Sequence, residues 1–567
     1  MSEQRSAADR LLDLAERDWR LHVDEHGDVF AVPVAGLQHI ARRLRGGRLG
    51  LRQALAAAYH REHGKVAPQQ ALADALTTLE GMAQDSDAVP LHLRVAEHDG
   101  ALWIDLGDAE GHVVRVKPGG WKVKRRAPVL FTRTELAAPL PMPERGGDLE
   151  ALWEHLNVPA EDRSLLLAVL VAAFVPNIPH PVLDLEGEQG SGKSTLAKRL
   201  VDLLDPSPVP MRKAPRDPEA FVTAAGGSWV VSLDNLSTLP EWLSDSLCRA
   251  STGEGDVRRR LYSDGDLSVF AYRRVVIVNG IDLAGIRGDL AERLVTVRPP
   301  RFDAGRRGER ELDAAWQAAR PALLGALLDL LSEVWGEVSE VSEQGARAIS
   351  GRRFPSSSSL DQGASEQRAR RGEPEKARAH GSLTSLTSPS SMRMADFARI
   401  VAAVDRVLGT NGLDRYAERN AETAAETLTA SPFVSRLLTG LRAPFNGTAE
   451  QLRAMLTATT ATPLPRNWPS SAKAVTGELR RHGPALRQQG WGVTDEEDRK
   501  RHRTIWHLVP PTLGEAPGYI RCLVADCGNA LTSKQQRTDG VCGKHDPEHD
   551  TAREVQAAIP TTERTHR

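Results

Sequence analysis

The stretch LEGEQGSGKSTLAKRL, residues 185–200, satisfies the pattern GxxxxGK[ST] from Gly187 to Ser194. Gly187, Gly190 and Gly192 allow backbone N–H groups to turn inward around phosphate oxygens, and a helix opening just after them adds its positive dipole. Lys193 is placed to reach the outer phosphates and the Ser194 hydroxyl to ligate Mg2+, with Glu188, Ser191 and Thr195 completing the phosphate loop. The flanks agree. HPVLDLEG reads as an apolar strand and STLAKRLVDLLD as an amphipathic helix. Strand, glycine-rich loop and helix together predict an α/β nucleotide-binding domain rather than an isolated glycine turn.

A chain of 567 residues exceeds one core and implies about three or four domains. Its 73 Lys+Arg balance 75 Asp+Glu, so affinity for nucleic acid has to come from local basic patches. The opening MSEQRSAADR lacks an apolar signal region. The longest apolar run, LLLAVLVAAFV at 165–175, is too short to span a bilayer. A cytoplasmic protein with no membrane partner is the expectation. Of four cysteines, three fall in the last fifty residues, a distribution that fits a metal site better than a disulfide framework.

Residues 1–147 mix helical patterns with strands punctuated by Asp and Gly, which predicts an α+β domain. Within it Asp105 and Asp108, in WIDLGD, are an acidic pair whose simplest reading is turn chemistry, with metal-binding carboxylates of a primase as the alternative. Residues 148–337 alternate helix and strand as an ATPase domain does. The segment 338–392 is dominated by a polar Ser/Arg-rich stretch, 351–391, and is expected to be a flexible linker. Helical periodicity returns over 393–512. A cysteine-bearing segment, 513–550, and a tail, 551–567, expected to be disordered, complete the chain.

Inside the ATPase region, GGSWVVSLDNLS is an apolar strand ending at Asp234, the position of a carboxylate that orders Mg2+. The next residue is Asn235, an amide that accepts no proton. Hydrolysis is therefore slow or uses another base, Glu188 or Glu254 being the alternatives. A further strand, RRVVIVNG, ends at Asn279, which fits a sensor that orients the attacking water. IRGDLAERLVTV then offers Arg293, and alternatively Arg287, as an arginine finger reaching a neighbouring subunit, or as surface ion-pair partners of Asp289 and Glu292. Between the two strands, DVRRRLYSDGDLSVFAYRR reads as a β-hairpin about Asp264 and Gly265. Its Arg258, Arg259 and Arg260, beside Tyr262, suit single-stranded nucleic acid.

The order of GEQGSGKST, WVVSLDNLSTLPEWLSDSLCRASTGEGDVRRRLYSDGD, RRVVIVNGID and RGDLAERL resembles the ATP-binding proteins of actinobacterial phages, prophages and integrative elements. These are similar to primase-helicase ATPases of the superfamily 3 type within the AAA+ class. The resemblance covers roughly 148–335. It implies an oligomeric ring driven by ATP along DNA, with Lys193, Ser194, Asp234, Asn279 and an arginine carrying the site. Asn235 departs from the acidic pair usual in that class.

Within 393–512, GTAEQLRAMLTATT resembles the first helix of a winged-helix-type DNA-binding region. SSAKAVTGELRRHGPALRQQGW supplies a longer helix bearing Lys473, Arg480, Arg481 and Arg487, and DEEDRKRHR with TIWHLV reads as the wing. Cys522, Cys527, Cys542 and His545 follow as Cx4C, a fourteen-residue loop and Cx2H. Four such ligands close a tetrahedral Zn2+ site, with His549 a substitute, and stabilise a segment too small for a core. The expected protein is multidomain α/β: a P-loop NTPase (AAA+-like) core, an N-terminal α+β domain, a C-terminal winged-helix-type domain and a small zinc knuckle. Its expected function is an ATP-hydrolysing DNA helicase in mobile-element replication. The alternatives are an ATP-gated DNA-binding or loader switch and, less favoured, a primase-helicase.

Overall fold

The computed structural model describes residues 5–84, 86–236, 239–259, 267–280, 288–302, 308–350, 392–460, 463–465, 467–498 and 503–511. It is a multidomain α/β structure. At its centre is a five-stranded sheet whose strands, in spatial order, are Arg212–Lys213, Val230–Asp234, Val275–Asn279, Val182–Leu185 and Leu294–Val297. Every neighbouring pair is parallel. Parallel strands need both faces covered, which is why all of these but the edge strand Arg212–Lys213 read as largely apolar runs.

Alternation within the strands divides their side chains between two cores. Leu183, Leu185, Val275, Ile277, Val295 and Val297 face a core shared with the helices Arg163–Ala172 and Lys193–Leu204. Val182, Val231, Leu233, Val276, Val278 and Leu294 face the opposite core, with Phe221, Leu243 and Leu247 from the helices Pro218–Gly226 and Glu241–Thr252. The first of these two helices begins at Asp217, whose carboxylate accepts from Ala220 N–H at 2.7 Å, with Pro218 in the position that needs no N–H.

The N-terminal region has two parts. Strands Trp19–Val23, Val29–Pro33, Ile40–Arg43, Leu130–Thr132 and Leu91–His92 form one sheet. Helices Ala7–Asp18, Leu51–His63 and Gln69–Ala83 pack together in a separate core around Leu14, Leu55 and Leu76. The antiparallel strands Val95–His98, Ala101–Asp105, Val113–Lys117 and Gly120–Lys124 behave differently. Leu102, Ile104, Val114, Val116 and Trp121 join the core of the central sheet. Trp121 Nε1 donates to Asp329 at 2.8 Å, and Trp335 Nε1 to the Gly100 carbonyl at 3.0 Å. Arg94 and Asp205, both buried, pair at 2.8 Å across the same junction. The hydrophobic core therefore runs across the boundary expected at residue 147.

Asp329 and Trp335 lie on a helix spanning Glu309–Ser350. Helical structure thus continues through 338–350, which the sequence reading had assigned to the linker; the stretch 351–391 lies outside the described residues. Helices Ala395–Leu408 and Gly412–Ala430 also depart from expectation. Phe397, Ile400, Val401, Val404 and Tyr416 insert into the core of the central sheet, whereas Ala424 and Leu428, further along the second helix, belong to the core of the C-terminal unit. That unit comprises helices Pro432–Gly440, Ala449–Ala458 and Ala472–Gln488, with strands Phe445–Thr448, Gly492–Asp498 and Arg503–Val509. Thr448 and Gln451 form a reciprocal cap on its second helix, and Leu452, Leu479, Trp491 and Trp506 fill its core.

Candidate functional site

The register of the central sheet gathers the candidate residues at one edge. Leu185 pairs with Asn279, and Leu233 with Val278. The chain therefore leaves three adjacent strands at the same level, at Glu186, Asp234 and Gly280. Loops outside the carboxyl ends of parallel strands are where such sheets bind ligands. Here the loop is Gly187–Ser194, leading into the helix that starts at Lys193.

Two glycines adopt a backbone conformation that L side chains rarely take, with little room beside it. Gly187 has φ +155°, and a Cβ on it would lie 3.2 Å from Ser191 Oγ and 3.3 Å from the Pro299 carbonyl oxygen. Gly192 has φ +81°, and a Cβ there would be 3.0 Å from the Phe302 ring. The Ser191 hydroxyl donates to Glu188 O at 3.0 Å. Lys193 Nζ donates to Gly187 O at 2.6 Å and Glu188 O at 2.8 Å, so the ammonium is drawn across the mouth of the loop. Gly190 and Thr195 line a cavity beside it.

Ser194, Asp234 and Asn279 meet beside that ammonium. Ser194 Oγ donates to Asp234 Oδ1 at 3.1 Å, and Asn279 Nδ2 donates to the same oxygen at 2.7 Å. Asn279 Nδ2 and Ser194 Oγ are 3.4 Å apart. The other end of the Asn279 amide accepts the Asn235 N–H at 2.6 Å. That bond holds Asn235 in the left-handed region, φ +56°, a conformation asparagine tolerates better than most residues. Asn279 is 3 % exposed and so fixes both residues after the Asp234 strand from within.

Behind the loop, Asp184 is fully buried in the P-loop strand, one oxygen accepting the Thr296 hydroxyl at 3.4 Å and the other without a partner. Burial, helped by the like charge of Glu186, pushes its pKa up to about 8.

Next to the loop a cavity of about 530 Å³ is lined by Trp153, Asn157, Gly190, Thr195, Phe302 and Leu312, among others. Asn157 Nδ2 donates to Ser191 O at 2.9 Å and to Pro300 O at 2.7 Å, clipping the loop to the segment that follows the last strand. Phe302 is half exposed on the wall of this cavity. The sequence reading found none of Trp153, Asn157 and Phe302. They converge only because the last strand lies beside the P-loop strand, and no local motif announces that adjacency.

The structure does not bring Arg293 to the loop. Its carbonyl accepts the N–H of Val182, the first residue of the P-loop strand, so it stands at the opposite edge of the sheet. Its side chain is 11 % exposed and lies 3.4 Å from Asp289, the ion-pair alternative. Arg287 is outside the described residues. Glu254 is likewise remote, because the helix before it ends with Ser251 O accepting His180 N–H at that far edge. Glu188, the other alternative base, is exposed and 3.6 Å from Arg301.

The acidic pair near the N-terminus has structural partners. Asp105, 1 % exposed, receives two bonds from Arg133 at 2.7 and 2.8 Å. Asp108 holds His112 through both its backbone and its ring. Asp108, Glu110 and His112 offer ligand atoms within 4.8 Å of one another, but the His112 ring and Asp108 satisfy each other.

Among the proposed DNA contacts, Arg258 and Arg259 lie on the strand Gly255–Arg259, paired antiparallel with Leu267–Ala271 as a hairpin requires. Arg260 lies outside the described residues. Lys473 is exposed on the helix Ala472–Gln488. Arg480 pairs with Asp495 at 3.3 Å, whereas Arg481 pairs with Glu478 at 3.1 Å and approaches Glu241 at 3.9 Å. Both line a cleft with Asp245, Asp289, Glu292 and Arg393, so acidic groups face much of their charge. Cys522, Cys527, Cys542 and His545 are outside the described residues. Among the described residues no helix is long and apolar enough to cross a membrane.

No curated protein matches the chain. Among solved structures it is similar to "SCCmec type IV Cch - active helicase", with 12% identity over 87% of this chain and 93% of that one, at a TM-score of 0.42. It is also similar to the apo structure of the NrS-1 C terminal region, with 12% identity over 90% and 100% of the two chains and a TM-score of 0.33. These superpositions are loose, and no residue role is transferred from them. Residues 150–347 match the actinomycete integrative conjugative element replication protein, and residues 433–513 match the C-terminal domain of that protein, RepA. These two regions of the chain are similar to the RepA replication protein of actinomycete integrative conjugative elements.

Proposed function

We propose that the chain binds ATP with Mg2+ at the loop Gly187–Ser194, hydrolyses it, and acts on DNA during replication of its element as an oligomeric helicase. The observation that carries this reading is the meeting of Ser194 Oγ, Asp234 Oδ1 and Asn279 Nδ2, each within 3.4 Å of the others, next to Lys193. A hydroxyl and a carboxylate 3.1 Å apart are hard oxygen donors of the kind Mg2+ takes. Bound there, the ion would neutralise charge on the phosphate oxygens. Lys193 exchanges its two carbonyl partners for phosphate oxygens, and Asn279 keeps the Asp234 carboxylate and the Asn235 backbone in place. The strand order, with the Asn279 strand between the P-loop and Asp234 strands, supports the AAA+-like assignment of the core. A cavity of about 530 Å³ lies within the range of small-molecule sites, about 300–1,000 Å³, and takes the nucleoside, with Phe302 against the base.

Helix, strand, helix, helix and two paired strands follow one another over 432–509, the order of a winged-helix unit. We assign it, with the Arg258 and Arg259 hairpin, to DNA. Arg293 or Arg287 would serve a neighbouring subunit of a ring, and Cys522, Cys527, Cys542 and His545 would hold Zn2+.

One observation favours a second reading, an ATP-gated switch or loader with little hydrolysis. The residue after Asp234 is an amide whose N–H is tied to Asn279, and it accepts no proton from water. Steady-state hydrolysis with and without single-stranded DNA, alongside Lys193→Ala, separates the two. Turnover that rises with DNA and is lost in the variant supports the motor, and strand displacement is its next assay. Tight ATP binding with DNA-insensitive turnover supports the switch, and undiminished affinity in the variant removes the loop assignment altogether.

A further inference from the structure

Arg298 stands where three elements meet. It follows the strand Leu294–Val297, which pairs in parallel with the P-loop strand. The pairing runs one residue further, because Glu186 N–H donates to Val297 O at 3.1 Å. Pro299 O then abuts Gly187, and Pro300 O accepts from Asn157, which also holds Ser191 O. The backbone from 297 to 300 is therefore the rail on which the phosphate loop rests.

The Arg298 side chain spreads from that rail to three carboxylates. Nε donates to Glu186 at 2.7 Å, Nη2 to both oxygens of Glu426 at 3.1 Å, and Nη1 to Glu422 at 3.5 Å. Glu186 directly precedes Gly187, whereas Glu422 and Glu426 lie on the helix Gly412–Ala430. Arg415 and Arg419 anchor this helix to Asp162, at 2.7 and 2.8 Å. At its other side Gln489 donates to Ala421 O at 3.4 Å, and its C-terminus passes through Ser431, whose hydroxyl donates to Glu478 at 2.7 Å. The same helix thus touches the P-loop strand's charge cluster and the C-terminal unit.

We propose that Arg298 is a positioning residue that couples the phosphate loop to the C-terminal unit, with Glu186 on one side and Glu422 and Glu426 on the other. The proposal rests on the nucleotide reading of the loop and adds to it the route by which occupancy reaches the rest of the chain. One positive charge faces three carboxylates, so its partition among them responds to any displacement of Glu186. Burial also raises the Glu426 pKa against the pull of Arg298. A planar group with five donors in a fixed fork reaches acids placed around it, a geometry that the compact ammonium of lysine does not reproduce.

The test is hydrogen exchange by mass spectrometry on the full chain, with and without a magnesium complex of a non-hydrolysable ATP analogue, in wild type, Arg298→Gln, Arg298→Lys and Glu426→Gln. In wild type the analogue slows exchange in peptides covering 186–199 and changes exchange in 412–430 by about fivefold or more, the lower end of common coupling strengths. In Arg298→Gln and Glu426→Gln the response at 186–199 persists while that at 412–430 is lost, and Arg298→Lys keeps an intermediate response. Glu426→Gln leaves Arg298 in place with Glu186, so it guards against a folding defect in the arginine variant. A response at 412–430 that survives in both neutral variants overturns the proposal, as does its absence in wild type while 186–199 responds. If 186–199 itself is silent in wild type, the nucleotide reading fails and the coupling falls with it.

Discussion

Replacing Asp184 by asparagine tests whether the strand beneath the phosphate loop is as dry as its packing says. The carboxyl is fully buried, its one bond is a long one from the Thr296 hydroxyl, and Oδ1 has no partner. Burial first, and repulsion from Glu186 second, raise its pKa to about 8, whereas an unfolded aspartate titrates near ~3.9. Between those values the folded chain holds a proton that the unfolded chain has released. Stability contributed by this group therefore falls as pH rises from about 4 and stops falling near 8. Four pH units at about 1.4 kcal/mol each set a ceiling of about 6 kcal/mol, and relaxation with water entry brings the expected effect to a few kcal/mol.

Asparagine keeps the shape and removes the titration, so the advantage of Asp184→Asn over wild type should widen with pH. A chain with several hydrophobic cores is not a two-state folder by default, and a global melting curve would blend their transitions. The protection of peptides covering 180–187 against hydrogen exchange, compared side by side at pH 5, 6.5 and 8, avoids that problem, because the intrinsic exchange rate cancels in the ratio. At the ceiling the ratio of variant to wild-type protection rises about tenfold per pH unit. A ratio that stays flat across this range would mean that Asp184 ionises as an ordinary carboxylate, and the account of a dry strand behind the loop would be wrong.

Lys193→Ala removes the ammonium at the loop mouth and should weaken ATP affinity or turnover by about 100-fold or more, as loss of a single preorganised charge donor does; isothermal titration and steady-state hydrolysis check it. Phe302→Ala should weaken ATP binding by roughly tenfold, the range of one lost base stack, while leaving inorganic pyrophosphate affinity unchanged. Equal losses for both ligands would place Phe302 in loop packing rather than base recognition. Cys522→Ser should lower bound zinc from one ion per chain, measured by atomic emission on protein purified without chelator, and an unchanged zinc content would remove the four-ligand assignment.

What the sequence discloses about this fold depends on whether a residue's role is decided locally. Three of the five parallel strands are legible because a strand buried on both faces has to be largely apolar, and VVIV satisfies that without reference to any neighbour, whereas Arg212–Lys213 carries no such signal. The phosphate loop is legible for the same reason, since its glycines and lysine act within eight residues. Asp234 and Asn279 each read as polar residues ending an apolar strand, and only the strand order explains why they share one oxygen's neighbourhood. Asp105 shows the limit: WIDLGD alone does not announce that Arg133, 28 residues away, takes both of its carboxylate oxygens.

The helices Ala395–Leu408 and Gly412–Ala430 illustrate the harder case. Their periodicity announces an apolar face, yet periodicity carries no information about which surface that face will cover. Their place in the sequence, after a long polar stretch and before the C-terminal unit, favours the unit. The folded chain places Phe397 and Val401 in the central core instead, and that choice brings Glu422 and Glu426 to Arg298. A boundary drawn at the end of the polar stretch would cut this network. A C-terminal fragment beginning at 393 would carry Phe397, Val401 and Tyr416 stripped of their core, whereas one beginning near 431 would lose Ala424 and Leu428 from the core of the unit. The physical division between the central core and the C-terminal unit therefore falls within the helix Gly412–Ala430, which serves both cores, and Arg298 is joined to the unit through that shared helix rather than across a linker.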